Sequence, residues 1–226
     1  MVDRVIGTSD GAEAMLAELD RSATEARERL AADPARRSRL IDYLTSLTEP
    51  FPVRSAPAGP VIIEQVQCDG FRRDRIELEI LAGMRFRCYV LVPDGRTAPG
   101  PTVLGVHGHG YGSRQLTGLL ADGEQDPDDH DGHHHFAVAL ARRGLLVITP
   151  DVVGFGERRS EADSGYDAEA GNSCYRLATT LLLHGATLTG LRVAELLGVV
   201  AIWPAARTWI RPGWASSAIP AARCFP

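Results

Sequence analysis

The 226-residue chain contains 44% hydrophobic residues and carries a formal net charge of −5 at pH 7. This composition is typical of a globular protein with one sizeable core, and its acidic balance gives no sign of a nucleic-acid partner. No apolar run approaches the roughly 20 residues that a membrane span requires, and the N-terminal stretch carries acidic residues and no apolar signal core. We therefore expect a cytoplasmic protein with no membrane partner.

The four cysteines are widely scattered and form no Cys-x-x-Cys pair; they are Cys68, Cys88, Cys174 and Cys224. This spacing indicates neither a zinc site nor a disulfide framework. For a cytoplasmic protein, we expect reduced thiols with a structural role.

Residues 1–60 are predicted to form a helical extension and a proline-rich linker. Apolar residues recur at helical spacing between Gly11 and Leu47. The pair Asp33-Pro34 is typical of a helix start, so two helices are expected. We interpret them as a cap that shields the sheet or its site. The four prolines of residues 49–60 predict an extended linker.

From Val61 onward, the hydrophobic period changes from helical to alternating. Three segments with alternating apolar and polar residues predict antiparallel strands at one edge of a mixed sheet, over residues 61–69, 75–81 and 86–93. The four residues from Leu81 to Met84 predict a tight connection between the second strand and the third.

Two nearly continuous apolar runs follow, over residues 102–106 and 145–149. Such runs are typical of strands that are buried on both faces. A helix is predicted between them over residues 136–143, ended by Gly144. The order strand, loop, helix, strand indicates an α/β fold.

The loop after the first of these buried strands reads His107-Gly108-His109-Gly110. In acyl transfer the carbonyl oxygen of the substrate becomes an anion, which preorganised backbone N–H groups stabilise. Glycines at the end of a buried strand let the backbone turn closely and present such donors. We expect the N–H of His109 to be the main donor, followed by that of Gly110.

A second glycine-containing segment, GFGER, follows Asp151. Together, HGHG, the helix FAVALARRG, the strand LLVITPD and GFGER resemble the α/β-hydrolase superfamily, and most closely its dienelactone hydrolase and acetyl xylan esterase-like branch. The later stretch SCYRLATTLLLHGATLTGLRVAEL is similar to the long helix that precedes the nucleophile strand in that branch.

The resemblance implies a cofactor-free serine hydrolase that acts on a small-molecule carboxylic ester. It also implies that Asp151, Glu157 and Arg158 shape and brace the site without transferring protons. From the residues alone, Asp151 could equally be a turn or cap residue.

The sequence departs from this family near Leu196. The Gly-x-Ser-x-Gly elbow, the acid and the distal His that the fold requires do not follow Arg158. No Asp, Glu or Lys occurs after Glu195, whereas all three tryptophans of the chain lie in this stretch. We interpret residues 198–226 as an aberrant tail with neither helical nor alternating periodicity.

A shifted reading frame would explain this tail. Because Trp has a single codon, reading two nucleotides later from Ala201 forces Ala, Asp and Gly at the codons of Trp203, Trp209 and Trp214. With suitable wobble bases, the shifted tail reads HLAGRPDVDPARVGVLGHSGGALLS, which contains a turn, a strand and an elbow. Our hypothesis is a frameshift, real or from sequencing, near residues 198–201.

Two other side chains could be considered as nucleophiles. Ser173 lies in the sequence GNSCY, which lacks the final glycine of an elbow and has no buried strand before it. We predict that Ser173 is a helix N-cap. Cys174 has no basic partner that the sequence can assign.

A histidine-rich segment, DPDDHDGHHH, could bind a divalent metal through His130, His133, His134 and His135. Metal sites usually draw their ligands from rigid elements, whereas this segment is expected to be a solvated loop before a helix. We therefore predict no metal or cofactor. A lid role and a metal site remain the alternatives.

These observations predict an incomplete α/β-hydrolase domain over residues 61–197, with a mixed, mostly parallel sheet and flanking helices, after a helical N-terminal extension. The expected activity of the family is carboxylic ester hydrolysis, but this chain is expected to be inactive without its triad. The alternatives are a noncatalytic binding module on a hydrolase scaffold and a metal-dependent hydrolase that uses residues 130–135. The oligomeric state is not predicted.

Overall fold

The computed structural model describes residues 11–52, 59–81, 83–97, 100–128, 132–166, 171–201 and 222–223. The chain divides into two compact units, residues 1–46 and 47–226. Among the helices in these described ranges, none is long and apolar enough to cross a membrane.

The N-terminal extension contains two helices, α1 (Ala12–Ala32) and α2 (Arg36–Thr48). Asp33 separates them, because its carboxylate accepts a hydrogen bond from the N–H of Ala35 at 2.8 Å. Its carbonyl oxygen also accepts the N–H of Arg36 at 3.0 Å. The prediction of two helices that break at this aspartate is confirmed, whereas their role as a shield stays a prediction.

The second unit is built on one mixed sheet. Its strands are β1 (Val61–Cys68), β2 (Phe71–Leu81), β3 (Met84–Pro93), β4 (Thr102–Leu104), β5 (Leu146–Pro150) and β6 (Ala222–Arg223). They lie in the order β4-β5-β3-β2-β1-β6. In the described part of the chain, β4 therefore has a hydrogen-bonded neighbour on its β5 side only.

Short connections explain why the first half of this sheet is antiparallel. Leu81 pairs with Met84, so that only two residues join β2 to β3, and a hairpin reverses the chain direction. Strand β5 is parallel to β4 because a helix lies between them along the chain. Of the described pairings, three are antiparallel and two are parallel, so the parallel part is smaller than expected.

Helices cover both faces of the sheet. They are α3 (Phe136–Arg142), α4 (Glu161–Tyr166), α5 (Cys174–Leu183) and α6 (Leu188–Ala201). One core cluster combines strand residues such as Ile80 and Ile148 with Leu191 and Val199 of α6. The other combines Leu91 and its neighbours with residues of α3. Full burial of each such side chain contributes about 1.5–3 kcal/mol.

The expected single long helix after residue 173 is wrong, because the structure contains α5 and α6. Gly185 ends α5 with φ +70°, a conformation that glycine adopts without strain. Thr187 then begins α6, where its hydroxyl accepts the N–H of Gly190 at 2.9 Å. Helix α6 also continues to Ala201, beyond the expected departure near Leu196.

The cysteines and the tail differ in part from expectation. Cys88 and Cys174 are free thiols, but Cys68 is disulfide-bonded, against the expectation of reduced thiols. Pairing of distant cysteines depends on the fold, which their spacing does not reveal. Beyond Ala201, only β6 falls within the described residues; Cys224 and the three tryptophans lie outside them.

Candidate active site

Two loops meet where the parallel strands β4 and β5 end. Their backbones approach so closely that a Cβ atom on Gly156 would lie 2.8 Å from the carbonyl oxygen of Tyr111. A Cβ on Gly112 would lie 2.5 Å from a carboxylate oxygen of Asp151. Both glycines also have positive φ, at +93° for Gly112 and +51° for Gly156. The glycines therefore allow the two loops to form one continuous edge.

His107 joins the two loops as a neutral ring. Its Nδ1 lies 2.8 Å from the carbonyl oxygen of Gly108, and its Nε2 accepts the N–H of Val152 at 2.9 Å. The side chain is buried, with 6% exposure, and burial lowers the pKa of His107. Because both nitrogens are engaged, the predicted site residue His107 braces the loops and is not placed to move protons.

The backbone N–H groups of the glycine-rich loop differ in their partners. The N–H of Gly108 donates to Nε2 of His133 at 3.1 Å. Within the described part of the chain, the N–H groups of His109 and Gly110 donate no hydrogen bond. These two are the donors that the sequence favoured for an anion.

The side chains around these donors restrict the loop. The ring of His109 lies edge-on to Phe155, with centroids 5.2 Å apart. The amide of Gln115 packs so tightly against Gly110 that a Cβ there would lie 2.0 Å from Nε2. Gln115 is buried, and its Oε1 has no hydrogen-bond partner among the described residues. No sequence pattern indicated this glutamine.

Asp151 anchors the turn that follows the glycine-rich loop. Its Oδ1 accepts both the N–H and the hydroxyl of Ser113, each at 2.7 Å. Ser113 begins a short 3-10 helix, Ser113–Leu116, so the carboxylate satisfies an N–H group that this turn leaves without a backbone partner. The structure thus places Asp151 in a capping role beside the site.

Arg158 forms a buried ion pair with a residue that the sequence did not indicate. Its Nη1 donates to Oε2 of Glu195 at 2.9 Å, and its Nη2 donates to Oε1. Nη1 also donates to the carbonyl oxygen of Asp151 at 2.9 Å, and the guanidinium lies 4.6 Å above the ring of Phe86. Glu195 is a lone carboxylate in the apolar helix α6, which was the only available signal.

Glu157 points the other way and meets three arginines. It accepts hydrogen bonds from Arg75, from Arg87 at 2.8 Å and from Arg114 at 2.7 Å. Burial alone would raise the pKa of Glu157, but the hydrogen bonds from Arg87 and Arg75 and the charges of Arg75 and Arg114 outweigh it. The pKa is lowered, so the carboxylate is ionised at neutral pH.

The histidine-rich segment is divided between two contacts. His133 accepts the N–H of Gly108, as described above, and His135 lies 3.0 Å from Asp126, with both side chains largely buried. His134 lies beside them with φ +50°, and His130 lies outside the described residues. Among the residues described, no three His, Cys, Asp or Glu side chains are arranged to hold a metal ion. His133 therefore brings one part of the segment to the glycine-rich loop, while Asp128, Gly132 and His134 are exposed, as expected of a solvated loop.

Ser173 occupies the N-cap position of α5, as expected, but its side chain does not cap the helix. Its hydroxyl oxygen accepts the N–H of Ser160 at 2.8 Å, and the residue is 2% exposed. Asn172 supplies the cap, because its Oδ1 accepts the N–H of Cys174 at 3.0 Å. Cys174 lies 3.1 Å from a guanidinium nitrogen of Arg192.

The model of the Abhydrolase family matches residues 4–211 of the chain. The chain belongs to this family. The resemblance to α/β-hydrolases that the sequence predicted is therefore confirmed, as is the α/β fold with a mixed sheet and flanking helices.

Solved structures with a similar fold include a presumed acetyl xylan esterase from Bacteroides fragilis, with 20% identity, a TM-score of 0.61, and coverage of 73% of this chain and 41% of that one. Acetyl xylan esterase 1 from Thermoanaerobacterium has 18% identity, a TM-score of 0.36, and coverage of 64% and 44%. This member of the Abhydrolase family thus spans about two fifths of the length of the solved proteins that it matches.

One formal match to the nucleophile pattern of the family occurs elsewhere, in GTSDG at residues 7–11. A nucleophile elbow joins a buried strand of the sheet to a helix. This segment instead precedes α1 in the first unit, whose described residues form two helices and a turn, with no strand. Residues 1–10 lie outside the described residues.

Proposed function

We propose that this chain holds the scaffold and the anion-binding side of a serine-type carboxylic ester hydrolase for small-molecule esters, without the attacking serine. The observation that carries this proposal concerns two N–H groups after β4, those of His109 and Gly110, which donate no hydrogen bond to any described residue. The names of the similar esterases support the same class of substrate.

The chemistry follows from these donors. When a serine attacks an ester, the carbonyl oxygen gains negative charge, and each preorganised N–H group aimed at it contributes about 3 kcal/mol to transition-state stabilisation. The neutral ring of His107 and the cap made by Asp151 hold the loop in place before the substrate arrives. Preorganisation means that the donors need not reorient during the reaction.

The nucleophile would come from the strand that the family places next to β4. In our proposal the frameshift near residues 198–201 has replaced this strand and its elbow. Sequencing the gene from the codon of Leu197 tests the point directly. We expect the shifted frame to encode Gly-x-Ser-x-Gly; a gene without those codons in that frame would refute the frameshift.

Hydrolysis of p-nitrophenyl acetate tests the activity. We expect negligible turnover by the present chain and clear turnover by a frame-restored protein, which disappears when its elbow serine is changed to Ala. Turnover by the present chain that is lost on changing one of its own residues would contradict the proposal. Ligand binding without turnover by the restored protein would support the noncatalytic alternative.

Two matched variants test whether the backbone N–H of His109 stabilises the anion. In the frame-restored protein, His109→Pro removes the backbone N–H, whereas His109→Ala removes only the ring. We expect His109→Pro to lower kcat by about 10²-fold or more relative to His109→Ala, since the loss of one donor has this effect in other hydrolases. Equal kcat values for the two variants would remove His109 from the anion site.

A further inference from the structure

A cleft of about 480 Å³ opens beside the glycine-rich loop. Its lining includes Gly110 and Tyr111 of that loop, and Glu157 and Arg159 of the loop after β5. The side-chain amide of Gln115, to which the proposed function gives no role, lies directly against Gly110. This amide is therefore next to the wall of the space in which an ester substrate would bind.

Gln115 is buried, with 4% exposure, yet its amide makes no hydrogen bond. Its Oε1 is buried without a partner, and its Nε2 donates to none of the described residues. A polar group that is buried without a partner destabilises a protein. Such groups are rare, and they often mark places where a ligand or a water molecule supplies the missing partner.

The turn that carries Gln115 is fixed on both sides of this residue. Ser113 donates its N–H and its hydroxyl to Asp151 at 2.7 Å each, and Leu116 is fully buried in the core. The N–H of Gln115 itself donates to the carbonyl oxygen of Gly112 at 3.3 Å. The backbone that carries the amide is thus held in place before a substrate binds, as a preorganised donor requires.

The amide reaches this position because residue 110 is a glycine. A Cβ atom on Gly110 would lie 2.0 Å from Nε2 of Gln115. Since a Cβ and the backbone nitrogen of the same residue are about 2.5 Å apart, Nε2 lies within about 4.5 Å of the nitrogen of Gly110. Two nitrogens that each donate to one oxygen at about 2.9 Å can be up to about 5.8 Å apart. The amide and the N–H of Gly110 are therefore close enough to share one acceptor.

We propose that Gln115 supplies a side-chain donor to the anion site, with Nε2 donating to the carbonyl oxygen of the ester together with the N–H of Gly110. This donor rests on the proposed function for its link to an ester. Its role explains why an amide stays buried without a partner in the free protein. Because the oxygen gains negative charge only as the reaction proceeds, the amide contributes mainly to kcat and little to KM.

Gln115→Met tests this donor, because methionine has a similar length and carries no N–H group. In the frame-restored protein, we expect kcat for p-nitrophenyl acetate to fall by about tenfold or more, with KM nearly unchanged. In the present chain, the same substitution should raise the urea midpoint, since an apolar side chain replaces an unpaired amide. A merely structural role would not combine higher stability with lower kcat.

Gln65→Met is the matched control. Nε2 of Gln65 has a partner, Oδ1 of Asp74 at 3.1 Å, and the residue lies on β1, which two strands separate from β5. We expect an unchanged kcat and an unchanged or lower urea midpoint for this control. A fall in kcat that is equal for Gln65→Met and Gln115→Met overturns the assignment.

The side-chain NMR signal of Gln115 gives a readout that needs no catalysis. Heteronuclear spectra of the present chain, titrated with sodium acetate, follow the side-chain NH₂ group of Gln115 and the backbone N–H of Gly110. The side-chain signal is assigned by its loss in Gln115→Met, and sodium chloride at the same ionic strength corrects for screening. We expect both signals to shift with one affinity, since one carboxylate oxygen meets both donors. A shift of Gly110 alone, or of neither group, overturns the donor.

The outcomes separate this donor from the proposed function. Hydrolysis by the frame-restored protein at a kcat that Gln115→Met leaves unchanged overturns the donor and leaves the proposed function in place. Saturable acetate shifts at Gln115 without any hydrolysis by the frame-restored protein leave the donor in place and overturn the proposed function. A fall of both kcat and the urea midpoint in Gln115→Met assigns this residue a structural role and overturns the donor.

Discussion

Glu157 and Arg158 are neighbours in sequence, yet they build two different kinds of charged cluster. Arg158 meets a single carboxylate, Glu195, in a buried bidentate pair whose side chains are 10% and 4% exposed. Glu157 meets three arginines at the wall of an open cleft. One cluster is matched in charge and closed to solvent, while the other is unmatched and open.

The two clusters differ in solvent access and in the number of partners that share one carboxylate. A matched buried pair ties the loop after β5 to helix α6 and leaves no charge for a ligand. The unmatched cluster instead joins one carboxylate to three guanidinium groups from separate parts of the chain. Glu157 and Arg158 thus hold the loop after β5 through different partners.

The largest expected effect comes from breaking the matched pair. Glu195→Gln leaves the buried guanidinium of Arg158 without a countercharge, so we expect a loss of about 3–5 kcal/mol in the free energy of unfolding. Urea denaturation measures this loss. The double variant Arg158→Met with Glu195→Leu should recover most of it, since no charge is then buried.

A loss within about 1 kcal/mol for Glu195→Gln would show that the pair behaves like an exposed one. In that case the contrast between the two clusters would disappear.

The second largest effect is expected at Gly156, which comes directly before Glu157 and Arg158 in the chain. In the Gly156→Ala variant, the added Cβ would lie 2.8 Å from a backbone oxygen, at a residue with positive φ. We therefore expect the free energy of unfolding to fall by about 3 kcal/mol. Gly185→Ala is the matched control, because its φ is also positive but nothing lies within 4 Å of the added atom. For Gly185→Ala we expect the free energy of unfolding to fall by about 1 kcal/mol. Equal losses in urea denaturation would mean that the loop contact has no energetic role.

The smallest effect concerns the unmatched cluster and depends on pH. The lowered pKa of Glu157 means that its contribution is present above its unfolded pKa of about 4.3 and is lost as the pH falls through the folded value. Glu157→Gln should therefore lower the free energy of unfolding by about 1 kcal/mol or less at pH 7, and by progressively less as the pH falls.

Urea midpoints between pH 7 and pH 3 measure this trend. Glu77→Gln, which removes a carboxylate 3.5 Å from one exposed arginine, is the control and should have little effect. A Glu157→Gln effect that is constant over this range would contradict the assignment.

The patterns of apolar and polar residues along the sequence predicted most of the fold. The alternation in 61–93 and the apolar run at β5 indicated the strands because side-chain burial follows strand geometry closely. The run at 102–106 was only partly right, because β4 covers Thr102–Leu104 alone and its residues are partly exposed instead of buried on both faces. The two N-terminal helices also followed from spacing and from Asp33. The break at Gly185 was missed because the apolar pattern continues across it, although the glycine itself was visible.

The clusters around the site could not be predicted in the same way. Glu195 lies 37 positions from Arg158, and Arg75 lies 82 positions from Glu157. Such pairs form only when the sheet and its helices are assembled, and no local pattern records them. The glycine-rich loop could be located from the sequence because its glycines are adjacent in the chain, and the role of its N–H groups as anion donors stays a prediction.

The close crossing at Gly112 and Gly156 has a consequence for engineering. A library that varies this edge has to keep both positions fixed, because any side chain there would push the two loops apart. Diversity belongs instead at Tyr111 and Arg159, which border the cleft. Substitutions at these two positions change the wall of the cleft, while the close approach of the two loops at the glycines is kept.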